Sequence, residues 1–72
     1  MKNNEDEILK RIGRKVFEER KAKGWTQEAL ADYADIDRSY IGYIENGKQN
    51  ISVSMLCKIA NILDIPLVDL FI

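Results

Sequence analysis

Four short stretches of this sequence repeat one arrangement that fixes where helices begin. In each stretch an apolar residue precedes a helix-starting residue, and a second apolar residue follows five positions after the first. The four sets are Trp25, Thr26 and Leu30; Ile36, Asp37 and Ile41; Ile51, Ser52 and Leu56; and Ile65, Pro66 and Leu70. Thr, Asp and Ser accept hydrogen bonds from the free N–H groups of a first helical turn, and Pro has no N–H to leave unpaired. The apolar pair fixes the angle at which the chain enters the helix. The pattern therefore predicts helices that begin near residues 27, 38, 53 and 66.

Another helix precedes these four. Ile8, Ile12 and Val16 recur every four residues, as an amphipathic helix requires. Gly24 and Gly47 stand where a helix end favours left-handed backbone angles. We predict an all-α, compact five-helix fold in a single domain spanning residues 1–72, with helices over residues 5–23, 27–34, 38–45, 53–63 and 66–71.

The residue types argue against catalysis and against cofactors. The chain has no His and one Cys, Cys57, which its apolar helical surroundings predict to be a buried core residue. No internal disulfide, metal-ligand cluster or nucleophile–base pair is available, so we expect no metal, no cofactor and no enzyme activity. No apolar stretch is long enough to span a bilayer, and residues 1–7 lack the apolar run of a secretory signal. We therefore expect a cytoplasmic protein with no membrane partner.

Charge is balanced overall but unevenly distributed. The chain has 11 basic and 12 acidic residues, a net charge of −1, which argues weakly against a nucleic-acid partner. Seven of the 11 basic residues lie between Lys10 and Lys23, and the acids Glu28, Asp32 and Asp35 follow closely. Two interpretations of the basic run remain open at this point: a solvated helix face, or a surface that steers DNA.

The connection between the second and third predicted helices is very short. Residues 34–37 permit a sharp turn but not an antiparallel hairpin, so the two helices should cross steeply and the second can project from the surface. A projecting helix fits the major groove of DNA.

Three segments then resemble the Cro/C1-type (XRE) helix-turn-helix family. They are TQEALA at residues 26–31, SYI at 39–41 and IENGK at 44–48. The resemblance extends over roughly residues 8–71. It implies a lambda-repressor-like fold, with the helix-turn-helix formed by helices two and three, that binds double-stranded DNA sequence-specifically as a homodimer on a palindromic operator to regulate transcription. The NIS run at residues 50–52, with no second domain, is most similar to the controller proteins of restriction–modification systems.

The resemblance also implies roles for individual residues. Base-facing positions match Arg38, Ser39, Tyr40 and Tyr43. Phosphate-contacting positions match Thr26, Gln27, Asn46, Lys48 and Asn50. A buried ion pair that ties helix one to helix three matches Arg20 and Glu45. The acids Glu28 and Asp32 match positions that contact the polymerase sigma subunit in activating members. Two positions depart from the family: Gln49 replaces a common basic residue, and Gly42 lies inside the recognition helix at a cost of about 1 kcal/mol relative to Ala.

The C-terminal stretch is too apolar for a solvated tail. Its large side chains exceed what one short helix can bury on one face, so a remainder should meet a partner. We predict a homodimer interface formed by Ile65, Leu67, Val68, Phe71 and Ile72.

Several alternatives stay open. The chain could be a phage-type repressor, an antitoxin-type regulator, or a protein-interaction module that lost DNA binding. Arg38 could be a solvated charge, Tyr43 could pack against the domain, and Glu28 with Asp32 could form a plain solvated acidic face. No small-molecule effector is expected, because no effector domain is present.

Overall fold

A computed structural model describes residues 4–72 as four α-helices followed by a 3₁₀ helix. The helices are α1 Glu5–Ala22, α2 Gln27–Ala34, α3 Arg38–Glu45 and α4 Val53–Leu63, and the 3₁₀ helix is Leu67–Phe71. The described residues contain no strand, as predicted for an all-α chain. Within the same residues no helix is both long and apolar enough to cross a bilayer. Residues 1–3, which the predicted domain and the N-terminal stretch include, lie outside the described part.

Side-chain caps begin three helices where the sequence predicts them. Thr26, Asp37 and Ser52 each accept a hydrogen bond from a backbone N–H of the first turn, at 3.0, 3.2 and 3.1 Å respectively. Asn4 caps α1 in the same way at 3.3 Å, which the sequence pattern did not predict. The apolar residues that precede α2, α3, α4 and the 3₁₀ helix all pack against the core. The capping side chains and the apolar residues before them therefore determine where these helices begin.

The fifth predicted α-helix, over residues 66–71, is wrong in type. Pro66 has an extended conformation, with ψ of 144°, and stays outside the helix as its cap. The five residues that follow form i→i+3 bonds, such as the 3.0 Å bond from the Asp69 N–H to the Pro66 carbonyl. So short a segment cannot offset the cost of nucleating an α-helix, whereas a 3₁₀ turn still buries Leu70 completely.

Two aspartates end helices in place of glycine. Asp35 follows α2 with φ of 56°, and Asp64 follows α4 with φ of 59°. Asp tolerates left-handed angles better than most residues because its short polar side chain can bond locally. After each turn the next residue, Ile36 or Ile65, donates its N–H five residues back to the helix it leaves. The same isoleucine therefore closes one helix and anchors the start of the next.

Helices α1 and α3 approach each other closely at Gly13. A Cβ at Gly13 would lie 2.7 Å from the Glu45 carbonyl oxygen, which leaves no room for any side chain. A Cβ at Gly42, by contrast, would meet only the Gln27 Oε1 atom at 3.8 Å. Packing therefore explains Gly13 and does not explain Gly42. Cys57, predicted as a core residue, is only half-buried.

Candidate nucleic-acid interface

One face of α3 is open to solvent and carries most of the predicted base-facing residues. Ile41 and Ile44 are buried and turn the opposite face to the core. Arg38 and Ser39 are exposed, and Tyr43 is 53% exposed. These three residues line one shallow depression together with Gly42 and Asn46. The structure thus brings together Arg38, Ser39 and Tyr43 with the predicted phosphate contact Asn46.

Tyr40 lies beside this depression and not in it. Its ring is half-buried and packs against the core. It lines a neighbouring groove with Ser39, Tyr43, Gln49 and Met55. Tyr40 therefore lies at the edge of the α3 face, with its ring packed against the core.

Gln27 joins two predicted features that the sequence treats as separate. Its Nε2 donates to Glu45 Oε1 at 3.0 Å, and its Oε1 accepts from Arg38 Nη1 at 3.3 Å. Glu45 in turn holds Arg20 through two bonds, of 2.7 Å from Nε and 3.0 Å from Nη2. A continuous chain of hydrogen bonds therefore runs from the interior of the domain to the exposed guanidinium of Arg38, which limits the directions in which that group can point.

The Arg20–Glu45 pair lies in the interior. The side chains are 7% and 4% exposed, and Arg20 Nη1 makes a third bond, of 2.6 Å, to the Trp25 carbonyl oxygen. The only other ion pair within residues 4–72, between Lys15 and Glu19, is far more exposed, at 27% and 28%. The interior pair ties α1 to α3 and to the turn before α2.

The other predicted phosphate contacts flank the α3 face. Thr26 is exposed at the start of α2, where its oxygen already caps the helix. Lys48 and Asn50 are exposed in the loop after α3. Gly47 begins that loop with φ of 69°, and the Lys48 N–H donates to the Tyr43 carbonyl at 2.9 Å. These residues border α3 at both ends of its open face.

The remaining predicted site residues lie on two other surfaces. Glu28 and Asp32 are exposed side by side on α2, and neither forms an ion pair in the described part of the chain. At the C-terminus, Val68, Phe71 and Ile72 are 61%, 40% and 77% exposed. Ile65 and Leu67, predicted for the same interface, are half-buried and pack against the core of their own chain.

Sequence reasoning missed the role of Gln27 as a link between side chains. A glutamine at the first position of a helix indicates phosphate contact by its location alone. Its partners lie 11 and 18 residues away in sequence, so no local pattern signals them. Among residues 4–72, no group of three metal-ligating side chains converges.

Comparison with known proteins yields close relatives over nearly the full length. The family model described as helix-turn-helix matches residues 16–70. The chain is 43% identical over 67 residues to the control protein C.MunI of Mycoplasma sp, covering 92% of this chain and 90% of that protein.

Two solved structures are similar in fold and in sequence. The restriction–modification controller protein C.AhdI from Aeromonas hydrophila has a TM-score of 0.83 and 43% identity, covering 88% of this chain and 96% of its own. The biofilm regulator SinR, solved in complex with DNA, has a TM-score of 0.78 and 35% identity, covering 82% of this chain and 95% of its own.

Proposed function

Because this chain belongs to the Cro/C1-type helix-turn-helix family, close to the restriction–modification controller proteins, we propose that it controls transcription of a restriction–modification operon by binding a palindromic operator as a homodimer. The family match over residues 16–70 confirms the resemblance predicted from the sequence. The related proteins are transcription regulators and not enzymes, which agrees with the prediction of no catalytic activity. SinR was solved in complex with DNA, and we propose double-stranded DNA as the ligand of this chain.

The observation that carries the proposal is the open face of α3. Its exposed polar side chains line one depression, and the flanking residues of α2 and of the loop after α3 can take phosphates on either side. Arg38 has the planar fork that matches the two acceptors of guanine in the major groove. Its bond to Gln27 supports a fixed direction of approach to the base.

Enrichment from a random-sequence duplex pool tests this function directly. The wild-type protein should enrich one palindromic site with half-sites about one helical turn apart. A pool that stays unenriched after repeated selection would contradict sequence-specific binding and favour the protein-interaction alternative.

Alanine variants of Arg38 and Lys48 should lose affinity for the selected site in different ways. Arg38→Ala should relax preference at one symmetric base pair and cost about 1–3 kcal/mol per half-site. Lys48→Ala should weaken binding to every sequence alike and flatten the dependence of affinity on salt, because it removes a charge that displaces counterions. Titrations of the site and of its single-base variants at several salt concentrations measure both effects. Unchanged preference in Arg38→Ala would place base recognition on another surface.

We further propose that Glu28 and Asp32 contact the polymerase sigma subunit. Both are exposed and lie one turn apart, a like-charge arrangement that costs a helix about 0.2–0.5 kcal/mol. The double change Glu28→Gln with Asp32→Asn should therefore bind the operator at least as well as wild type while losing activation of a downstream promoter. Operator titration and a promoter reporter separate the two effects. Full activation by the double variant would leave a simple repressor with a solvated acidic face.

A further inference from the structure

A second polar groove lies between α1 and the C-terminal end of α3, beside the open face of α3. It has a volume of about 530 Å³ and is open to solvent. Its cationic lining comes from one side, since Lys10, Arg11 and Arg14 all belong to α1. Beside this groove the α1 backbone at Gly13 lies against the last turn of α3.

The groove is cationic although the chain as a whole is not. Two carboxylates, Glu7 and Glu45, complete its lining with Asn46. The charge of Glu45 is already matched by Arg20. Within residues 4–72 none of the three cations that line the groove forms an ion pair or a side-chain hydrogen bond. The lining therefore holds three cations and, besides the paired Glu45, one carboxylate, that of Glu7.

The groove is continuous with the open face of α3. Asn46 lines it from α3, and the same Asn46 lines the depression that contains Arg38 and Tyr43. A nucleic-acid backbone that follows α3 would therefore pass the groove mouth.

We propose that this α1–α3 groove binds a backbone phosphate of DNA through Lys10 and Arg14. The inference rests on the proposed DNA binding and adds to it a contact from the first helix. A protein with a net charge of −1 gains little long-range attraction to DNA, so local cationic grooves must supply the phosphate binding. The competing explanation is that these cations only offset the negative C-terminal end of α3, whose own last turn has no basic residue.

The test measures how affinity for a mixed-sequence duplex depends on salt, since phosphate contacts need no particular base. The double change Lys10→Gln with Arg14→Gln should reduce the slope of log K against log[salt] by about 0.9 for each phosphate that a bound protomer no longer neutralises. Lys15→Gln with Lys58→Gln removes the same charge elsewhere and should leave the slope nearly unchanged. The charge-keeping change Lys10→Arg with Arg14→Lys should keep the wild-type slope.

Three outcomes would overturn the proposal. The first is an unchanged slope with a lower Tm in the double glutamine variant, which would assign these cations to stabilising the end of α3. The second is an unchanged slope together with a rise in Tm with free pyrophosphate, at constant ionic strength, in wild type but not in the variant, which would make the groove a site for a small anion and not for DNA. The third is a wild-type protein that binds no duplex at low salt. Failure to enrich one sequence contradicts the proposed function alone, because the groove contact is sequence-independent.

Discussion

Replacing Glu45 by alanine should lower the free energy of unfolding by about 3–5 kcal/mol. The change leaves the buried Arg20 guanidinium with one bond, to the Trp25 carbonyl, where it now has three. It also removes the acceptor for Gln27 Nε2. A chain of 72 residues has a total stability of roughly 4–11 kcal/mol, so much of the variant should be unfolded at physiological temperature. Urea unfolding followed by circular dichroism measures the decrease.

An exposed ion pair in the same chain provides the matched control. Glu19→Ala breaks the 3.6 Å pair with Lys15 and should cost at most about 0.5 kcal/mol. The double change Arg20→Met with Glu45→Leu should be more stable than Glu45→Ala, since it leaves no buried charge unpaired. A Glu45→Ala protein as stable as Glu19→Ala would show that solvent reaches the pair and that it does not hold α1 to α3.

Local signals explain how much of the fold the sequence predicts. Thr26, Asp37 and Ser52 cap their helices through bonds that span two or three residues, so the pattern that identifies them is visible in the chain itself. The sequence does not distinguish the 3₁₀ helix from an α-helix, because an apolar run after proline has the same pattern in either helix type. The tertiary packing that buries Leu70 distinguishes the two types, and the local pattern does not specify it.

Helix ends and close approaches depend on longer-range contacts. Asp35 and Asp64 adopt left-handed backbone angles because the next residues, Ile36 and Ile65, must turn back onto the core. The residue types at the turn do not indicate this requirement. The close helix contact at Gly13 is equally hard to predict from the sequence, since a glycine within a helical pattern indicates only a weaker helix. A glycine is needed there because the α3 backbone, more than 30 residues away in sequence, leaves no room for a side chain.

The α3 face was predictable in outline and not in its connections. The spacing of Ile41 and Ile44 leaves Tyr43 toward solvent, whereas the base-facing position of Arg38 follows from the family resemblance; both residues are exposed. The bonds that join Gln27 to Arg38 and Glu45 come from the crossing of α2 and α3, which a sequence pattern does not specify. The family resemblance assigns a role to each of these residues separately, whereas the structure shows that hydrogen bonds join Gln27, Arg38 and Glu45.

Replacing Val68 by glutamate should abolish the proposed homodimer and reduce operator affinity by roughly 10²–10⁴-fold. Val68 and Ile72 are 61% and 77% exposed, whereas Leu70 in the same C-terminal segment is fully buried. The segment thus divides into a side that belongs to the chain's own core and a side that has no partner within the described residues. A glutamate at Val68 should therefore block association without unfolding the protomer, whereas Leu67→Glu would damage the core that Leu67 packs against.

Loss of the dimer lowers affinity because each protomer then binds its half-site alone. In the dimer the second half-site is bound at a high effective concentration, and this advantage disappears with the interface. Sedimentation velocity over a range of concentrations, with circular dichroism to show that the variant is folded, measures association. Tyr33→Glu is the matched control, because Tyr33 is also exposed, at 58%, and the same change in charge on α2 should leave the dimer intact. If Val68→Glu and Ile72→Glu both sediment as dimers, the two-fold axis passes through another surface, and the exposed apolar side of the 3₁₀ helix needs a different partner.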